Sequence, residues 1–360
     1  MRVTINDVAK LAAVHPGTVS RVLNKHGEAA RVSEETRKRI LKAAENLRFY
    51  PDHSAQSLAR SATNILGVYV YPHGPAGPTI GEYQAQIING IEKQAYLNGY
   101  DLILMGLSVP EEDIERCKRQ LYQRRVDGLI ILGSTERPDA IRALSASGKP
   151  VVGIDSYGDD IGTLSINIDN FNASISATKH LVSLGHRKIG FIGSPYDPEL
   201  REESLRRKGY IHALEAAGIR CDFNLIMNGS NSLAQVKIGD GWCMEGGKVG
   251  IRTLLKRDPE VTAVFCMNDQ VAAGAIYSLY EQGVKVPDQF SVIGFDDSMI
   301  ARYTYPPLTT VRHDLEEMGQ QAVTHLINAI DNKQVLTQTE IHYVGAELAI
   351  RESTGPVKVK

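Results

Sequence analysis

Residues with the chemistry to contact other molecules stand in two kinds of place. The first is the short stretch Pro16–Asn24. At helical spacing, Thr18, Ser20, Arg21 and Asn24 share a polar face while Val19, Val22 and Leu23 point inward. Hydroxyls, a guanidinium and an amide on one short helix are groups a DNA major groove accepts, although this stretch taken alone reads better as part of a small capped helical pair of no special use. The second kind is the carboxyl end of strand-like runs, where open α/β sheets place their ligand crevices. Asp155 follows Pro150-Val-Val-Gly-Ile, Asn268-Asp269 follow Val264-Phe-Cys-Met, and Asp296-Asp297 follow Val292-Ile-Gly-Phe. Arg206 lies near the start of a helical segment. An acid after a strand also serves as the cap of the next helix, and Asp269 and Asp297 are read as such caps.

The elements that position these groups fall into two grammars. Near the N-terminus, Thr4 caps a first helix with Asp7 reaching back, and Val8, Leu11 and Ala12 form its apolar stripe. Val14-His15 breaks the pattern, and Pro16 suits the first position of a second helix, where its missing N–H costs nothing. Ser33 caps a third helix with Glu34 and Glu35 in its first turn and Ile40, Leu41, Ala44 and Leu47 inside; Tyr50-Pro51 ends it. From Ile65 the chain alternates strands and helices. Strand-like runs are 65–71, 101–105, 128–132, 150–155, 188–193, 262–267 and 291–295; amphipathic segments are 83–97, 112–124, 171–184, 204–217 and 270–282. Such alternation predicts parallel sheets covered by helices on both faces, and its length suits two subdomains.

Composition narrows the function classes. Residues 1–63 carry 11 Lys+Arg against 6 Asp+Glu, while the remaining 297 residues carry 29 against 36. A basic head on an acidic body fits a nucleic-acid-binding module joined to something that need not touch phosphate. Cys117, Cys221, Cys243 and Cys266 are far apart without metal-ligand spacing, and no signal peptide precedes the first helix, so the thiols read as reduced in a cytosolic protein. The longest apolar runs are strand-sized, too short to span a bilayer. Phosphate-loop, nucleophile-elbow, zinc-protease and dinucleotide signatures are absent, so nothing speaks for an enzyme or a bound cofactor.

The pattern Thr4-Ile-x-Asp-Val-Ala-x-Leu-Ala-x-Val, then Thr18-Val-Ser-Arg-Val-Leu-Asn24, then Val32-Ser-Glu-Glu-Thr-Arg37 and Tyr50-Pro51 resembles the LacI/GalR family of bacterial transcriptional repressors. The resemblance implies an all-α helix-turn-helix head over 1–51 and a hinge helix over 52–63. Beyond these it implies an α/β periplasmic-binding-protein-like core of two Rossmann-like subdomains over 64–360. The N-subdomain is then about 64–167 and 313–342, and the C-subdomain about 168–312 and 343–360. DNA contacts are expected from Thr4, His15, Pro16, Gly17, Thr18, Ser20, Arg21, Asn24, Arg31, Ser33, Leu58 and Ala59. Leu58 matches the leucine that the family wedges into the minor groove. Asp155, Arg206, Asn268 and Asp296 fall on positions lining an effector cleft between the lobes. Trp242 matches a position where an aromatic ring stacks on the ligand, although a core tryptophan remains the alternative.

Three departures from the family pattern stand out. Pro16 and Gly17 carry no side-chain donor, so base reading at the front of the second helix passes to His15 and Arg21. Asp52 replaces an asparagine, and the Pro- and Gly-rich run 72–78 forms a loop at a cleft-facing strand end. The expected protein is a homodimeric, sugar-responsive repressor that binds a near-palindromic double-stranded operator and is released by a sugar or glycoside. A corepressor of opposite sign, nucleobase-like or a phosphorylated protein, is the alternative; an enzyme on the same scaffold is a more distant one.

Overall fold

The computed structural model describes residues 3–23, 32–51, 57, 62–70, 80–106, 110–133, 138–157, 161–193, 201–227, 243–334, 336 and 338–358. At 110–113, 138–140 and 201–203 the description is of backbone alone. The chain divides into two compact units, residues 1–64 and 65–360.

In the first unit, α1 (Ile5–Ala12), α2 (Pro16–Leu23) and α3 (Glu34–Asn46) close on a core of Val8, Ala9, Ala12, Val19, Val22, Ile40, Ala43 and Ala44. The Asp7 carboxylate accepts from both the N–H and the hydroxyl of Thr4, at 2.9 and 2.8 Å. Ser33 accepts from the Thr36 N–H, a cap worth roughly 1 kcal/mol. Two expected core positions are not core: Leu11 is 54% and Leu41 48% exposed. Ala9 and Ala43 take their places. The cause is size, since alanines at the crossing points let three short helices approach closely, and the leucines beside them are turned out.

The second unit holds two six-stranded sheets. The first is wholly parallel, in the order β11 (Glu340–Val344), β5 (Leu164–Ile168), β4 (Val151–Ile154), β3 (Gly128–Leu132), β1 (Ile65–Val70), β2 (Asp101–Met105). Leu66, Val68 and Val70 alternate with Tyr69 along β1, and both sets are buried. A strand covered on both faces reads as a continuous apolar run for this reason. Helices α4 (Glu82–Leu97) and α12 (Leu315–Asp331) pack together over one face; α5 (Pro110–Tyr122) and α6 (Pro138–Ser145) pack together over the other.

The second sheet runs β12 (Ala346–Ala349), β10 (Thr309–His313), β9 (Ser291–Phe295), β8 (Ala263–Cys266), β6 (Ile189–Ile192), β7 (Ile226–Met227). β12 is antiparallel to β10, so this edge departs from the all-parallel expectation. Two helix pairs cover the sheet, α7 (Asn170–Ser183) with α8 (Arg201–Ala216) and α9 (Met244–Arg257) with α10 (Asp269–Glu281); the short α11 is Met299–Tyr303. The chain passes between lobes at Asp169, Asp314 and Gly345. Cys117, Cys221, Cys243 and Cys266 are free thiols. Among the described residues no helix is long and apolar enough to cross a membrane.

Candidate functional site

In the first unit α2 offers less than its sequence implied. The His15 ring Nδ1 accepts from the Gly17 N–H at 3.1 Å, so His15 caps the helix and has one nitrogen committed. Arg21 is exposed, but its Nε donates to the Gly17 carbonyl at 3.2 Å. Thr18 and Ser20 are half-buried, as are Pro16 and Gly17; Thr4 and Ser33 are exposed and act as caps. Asn24, Arg31, Leu58 and Ala59 lie outside the described residues, as do Asp52 and the run 72–78. Arg21→Ala is expected to weaken duplex binding by about 1–3 kcal/mol if the guanidinium swings out to a base edge. Fluorescence anisotropy at fixed salt measures it, and unchanged affinity would remove Arg21 from the reader.

In the second unit the carboxyl ends of both sheets face a cleft of about 240 Å3. Asp155, Arg206, Asn268 and Asp296 all line it; Trp242 lies outside the described residues. The backbone at Asp155 (φ 51°) and Asp296 (φ 108°) lies in the left-handed region that non-glycine residues avoid. Strain of this kind gathers where a side chain must be aimed rather than merely packed. Asp155 is buried and accepts from the Tyr83 hydroxyl at 2.6 Å. Burial, and then the adjacent Asp155, push the Tyr83 hydroxyl well above its usual range, so it stays a donor.

Arg206 is the centre of the second wall. Its Nε donates to Asn170 Oδ1 at 2.7 Å, one terminal nitrogen to the Met267 carbonyl at 2.5 Å, and the other faces Asp296 at 3.5 Å. The guanidinium lies 3.8 Å above the Phe295 ring. Asn170 donates in turn to the Tyr157 hydroxyl at 2.7 Å. From the first lobe, Glu82 accepts from the Met299 N–H of the second at 2.6 Å.

Two acids have other duties than expected. The cap of α10 is Asn268, whose Oδ1 accepts from the Val271 N–H, and not Asp269. Asp269 is buried and accepts from the Ser298 N–H and hydroxyl and from Thr310. Its carboxyl is raised by burial and then by Asp296, against those donors. Asp297 accepts from Arg351 and caps no helix.

Tyr83, Tyr157, Asn170 and His313 were not picked out by sequence. Tyr157 follows β4 by three residues, a signal that could have found it, whereas Tyr83 lies in the first turn of α4 and Asn170 starts the helix after β5, a strand whose own polar residues hide it. His313 ends β10 with both ring nitrogens unpartnered, 3.9 Å from Asp296. Burial, then Arg206, lowers its pKa to about 3. A folded chain that keeps this imidazole neutral gains that stability in full above about pH 6.5. It loses up to about 1.4 kcal/mol per unit as pH falls from there towards 3. His313→Gln is expected to flatten this part of the slope, read from urea midpoints at pH 7 and 5; equal slopes would assign the acid sensitivity elsewhere.

Carboxylates, a fixed guanidinium, amides and phenols on facing walls can hold a small polar ring by paired hydrogen bonds. Among the described residues no trio of His, Cys, Asp or Glu is placed to hold a metal.

Comparison with known proteins agrees with this geometry. Residues 4–52 match the family of bacterial regulatory proteins, lacI family, and residues 178–354 a periplasmic binding protein-like domain. The HTH-type transcriptional repressor PurR of Haemophilus influenzae (strain PittEE) is 34% identical over 357 residues, 97% of this chain and 98% of the relative. Among solved structures, the lac repressor dimer bound to operator and the anti-inducer ONPF has a TM-score of 0.78 at 26% identity, covering 99% of this chain and 100% of that one. The complex of the transcriptional regulator CelR with cellobiose has a TM-score of 0.68 at 28% identity, covering 98% and 100%. PurR and the lac repressor are repressors and CelR is a transcriptional regulator; none of the three is an enzyme. The chain belongs to the LacI family of bacterial regulatory proteins and is a DNA-binding transcriptional repressor.

Proposed function

We propose that the cleft is the regulatory site and that its ligand is a nucleobase-like corepressor that strengthens operator binding. The observation that carries this reading is the whole-length similarity to PurR repressors, at higher identity than the structures with sugar ligands. The walls support it. A planar base presents neighbouring donors and acceptors in one plane, which suits the Arg206 fork beside Asp296 and the Tyr83–Asp155 pair. Phenol rings at Tyr83 and Tyr157 offer flat apolar surface to the same ring.

A sugar or glycoside inducer is the second reading, favoured by the cellobiose complex of CelR. The two differ in sign as well as chemistry. A thermal-shift panel of free nucleobases, sugars and glycosides finds the stabilising class, because a ligand of the folded state alone raises the melting temperature by mass action. Mobility shift with the same compound then gives the sign. Stabilisation by a base that also tightens duplex binding is expected. Stabilisation by sugars alone, with weaker DNA binding, would replace this reading by the inducer.

We further propose that the working form is a homodimer. Tyr277, Tyr280, Tyr303 and Tyr305 are exposed on the second lobe and leave an apolar surface that a second copy would cover.

A further inference from the structure

The second unit is acidic in sum, yet the segment 115–125 carries five basic residues and one acid. That acid, Glu115, is paired to Lys118 at 2.9 Å. Arg116, Arg119 and Arg125, with Gln120 and Gln123, line a groove of about 380 Å3 on α5 and the turn after it. All three arginines are exposed, and no ion pair among the described residues engages any of them. Cations near a helix C-terminus ease the helix dipole, which accounts for one or two of them but not for a groove that also gathers two carboxamides.

Its place in the fold says what reaches it. α5 runs back along the sheet and ends where the strands begin: the Asp127 N–H donates to the Ile65 carbonyl at 2.8 Å, and Gly128 pairs with Leu66. Ile65 is the residue at which the chain enters this unit from the DNA-binding head. The end of α5 that carries Arg125 is therefore close in the fold to Ile65, the first residue of this unit. Forked guanidiniums suit phosphate oxygens, and carboxamide N–H groups add donors without charge. From Arg116 to Gln123 the helix rises about 10 Å, the length of about three base steps along one strand.

We propose that this groove is a docking surface for the phosphate backbone of duplex DNA, adding sequence-independent contacts to those of the head. Its signature is ionic. Removing one arginine–phosphate pair makes the plot of log affinity against log salt shallower by about 0.9, or about threefold in affinity between 50 and 200 mM salt.

The test uses the full chain and a mixed-sequence duplex of about 40 base pairs, followed by anisotropy over that salt range. The triple variant Arg116→Gln, Arg119→Gln, Arg125→Gln is expected to have a slope shallower by up to about 2.7, with an unchanged melting temperature. Lys256→Gln, an exposed change on the other lobe, should leave the slope alone. A triple variant with the slope of Lys256→Gln overturns the proposal. So does an unchanged slope with lost binding to polyglutamate, which assigns the groove to an acidic protein instead. A parent chain that binds no duplex at any salt overturns the head and the groove together, whereas an unchanged slope with binding intact overturns the groove alone, so the two failures are distinguishable.

Discussion

Arg206→Met is expected to abolish the ligand response of the cleft and to destabilise the second unit by about 3 kcal/mol. Methionine replaces most of the arginine's length and its contact with the Phe295 ring, so little of the loss is cavity. What it cannot replace is the set of donors to Asn170, the Met267 carbonyl and Asp296. Those acceptors are then left in a buried site without this cation. Breaking a buried pair from one side is costly for that reason. The functional loss is larger than the stability loss, because Asn170 and Asp296 both line the cleft and are aimed by the same guanidinium. Denaturant titration gives the first effect and ligand titration the second. A variant that is less stable yet keeps its ligand affinity would make Arg206 a structural residue beneath the site.

The second large effect is steric. Helices α9 and α10 cross at glycines on both sides. A Cβ on Gly274 would stand 1.9 Å from the Met244 carbonyl oxygen, and one on Gly247 would stand 1.9 Å from that of Val271. Both obstacles are backbone, so no rotamer change relieves them, and the helices must move apart. Gly274→Ala is expected to cost about 3 kcal/mol, at the upper end for overpacking. The double variant should cost less than the sum of the two, since one separation makes room for both methyl groups. Gly345→Ala, with nothing within 4 Å and an ordinary φ, is the control and should be nearly neutral in stability. Ligand affinity should fall together with stability in Gly274→Ala, because the first residues of α10 carry Asn268 and Asp269 into the cleft. Additive costs in a denaturant titration would show that the two contacts are relieved separately. Gly90 and Gly319 make the corresponding close crossing of α4 and α12 in the other lobe, so a crossing with glycines on both sides is found in each lobe among the described residues.

Much of this was legible in the chain, for identifiable reasons. Strands buried on both faces, such as Gly128–Leu132, show as unbroken apolar runs, and Asp155 and Asp296 follow such runs directly. Position after a strand alone left Asp155 and Asp296 ambiguous with helix caps; their match to the family's cleft positions singled them out. β5, β10 and β11 were not. Their serine, threonine, asparagine, arginine and histidine residues hide them, although Ser165, Asn167, Thr309 and Thr310 are fully buried. Polar residues can be buried there because they hydrogen-bond to one another and to neighbouring strands, as Ser165 does to Asn167.

The residues thus determined the basic three-helix head and the alternating α/β body, and their resemblance to a family pointed to four of the groups that meet in the cleft. Only the tertiary structure decided what those groups do. Tyr83 reaches Asp155 across 72 positions of sequence, and Arg206 reaches Asn170 across 36 and Met267 across 61. His15 became a cap because its ring could turn to the Gly17 N–H, and Asp269 left the cap to Asn268 because Ser298, at the start of α11, and Thr310, on β10, arrive beside it. β11 and β12 are separated by Gly345 alone and yet belong to different sheets. Periodicity along a chain reports which face of an element is buried, but not against what; partners distant in sequence are chosen by the packing of whole lobes, and that choice exists only in three dimensions.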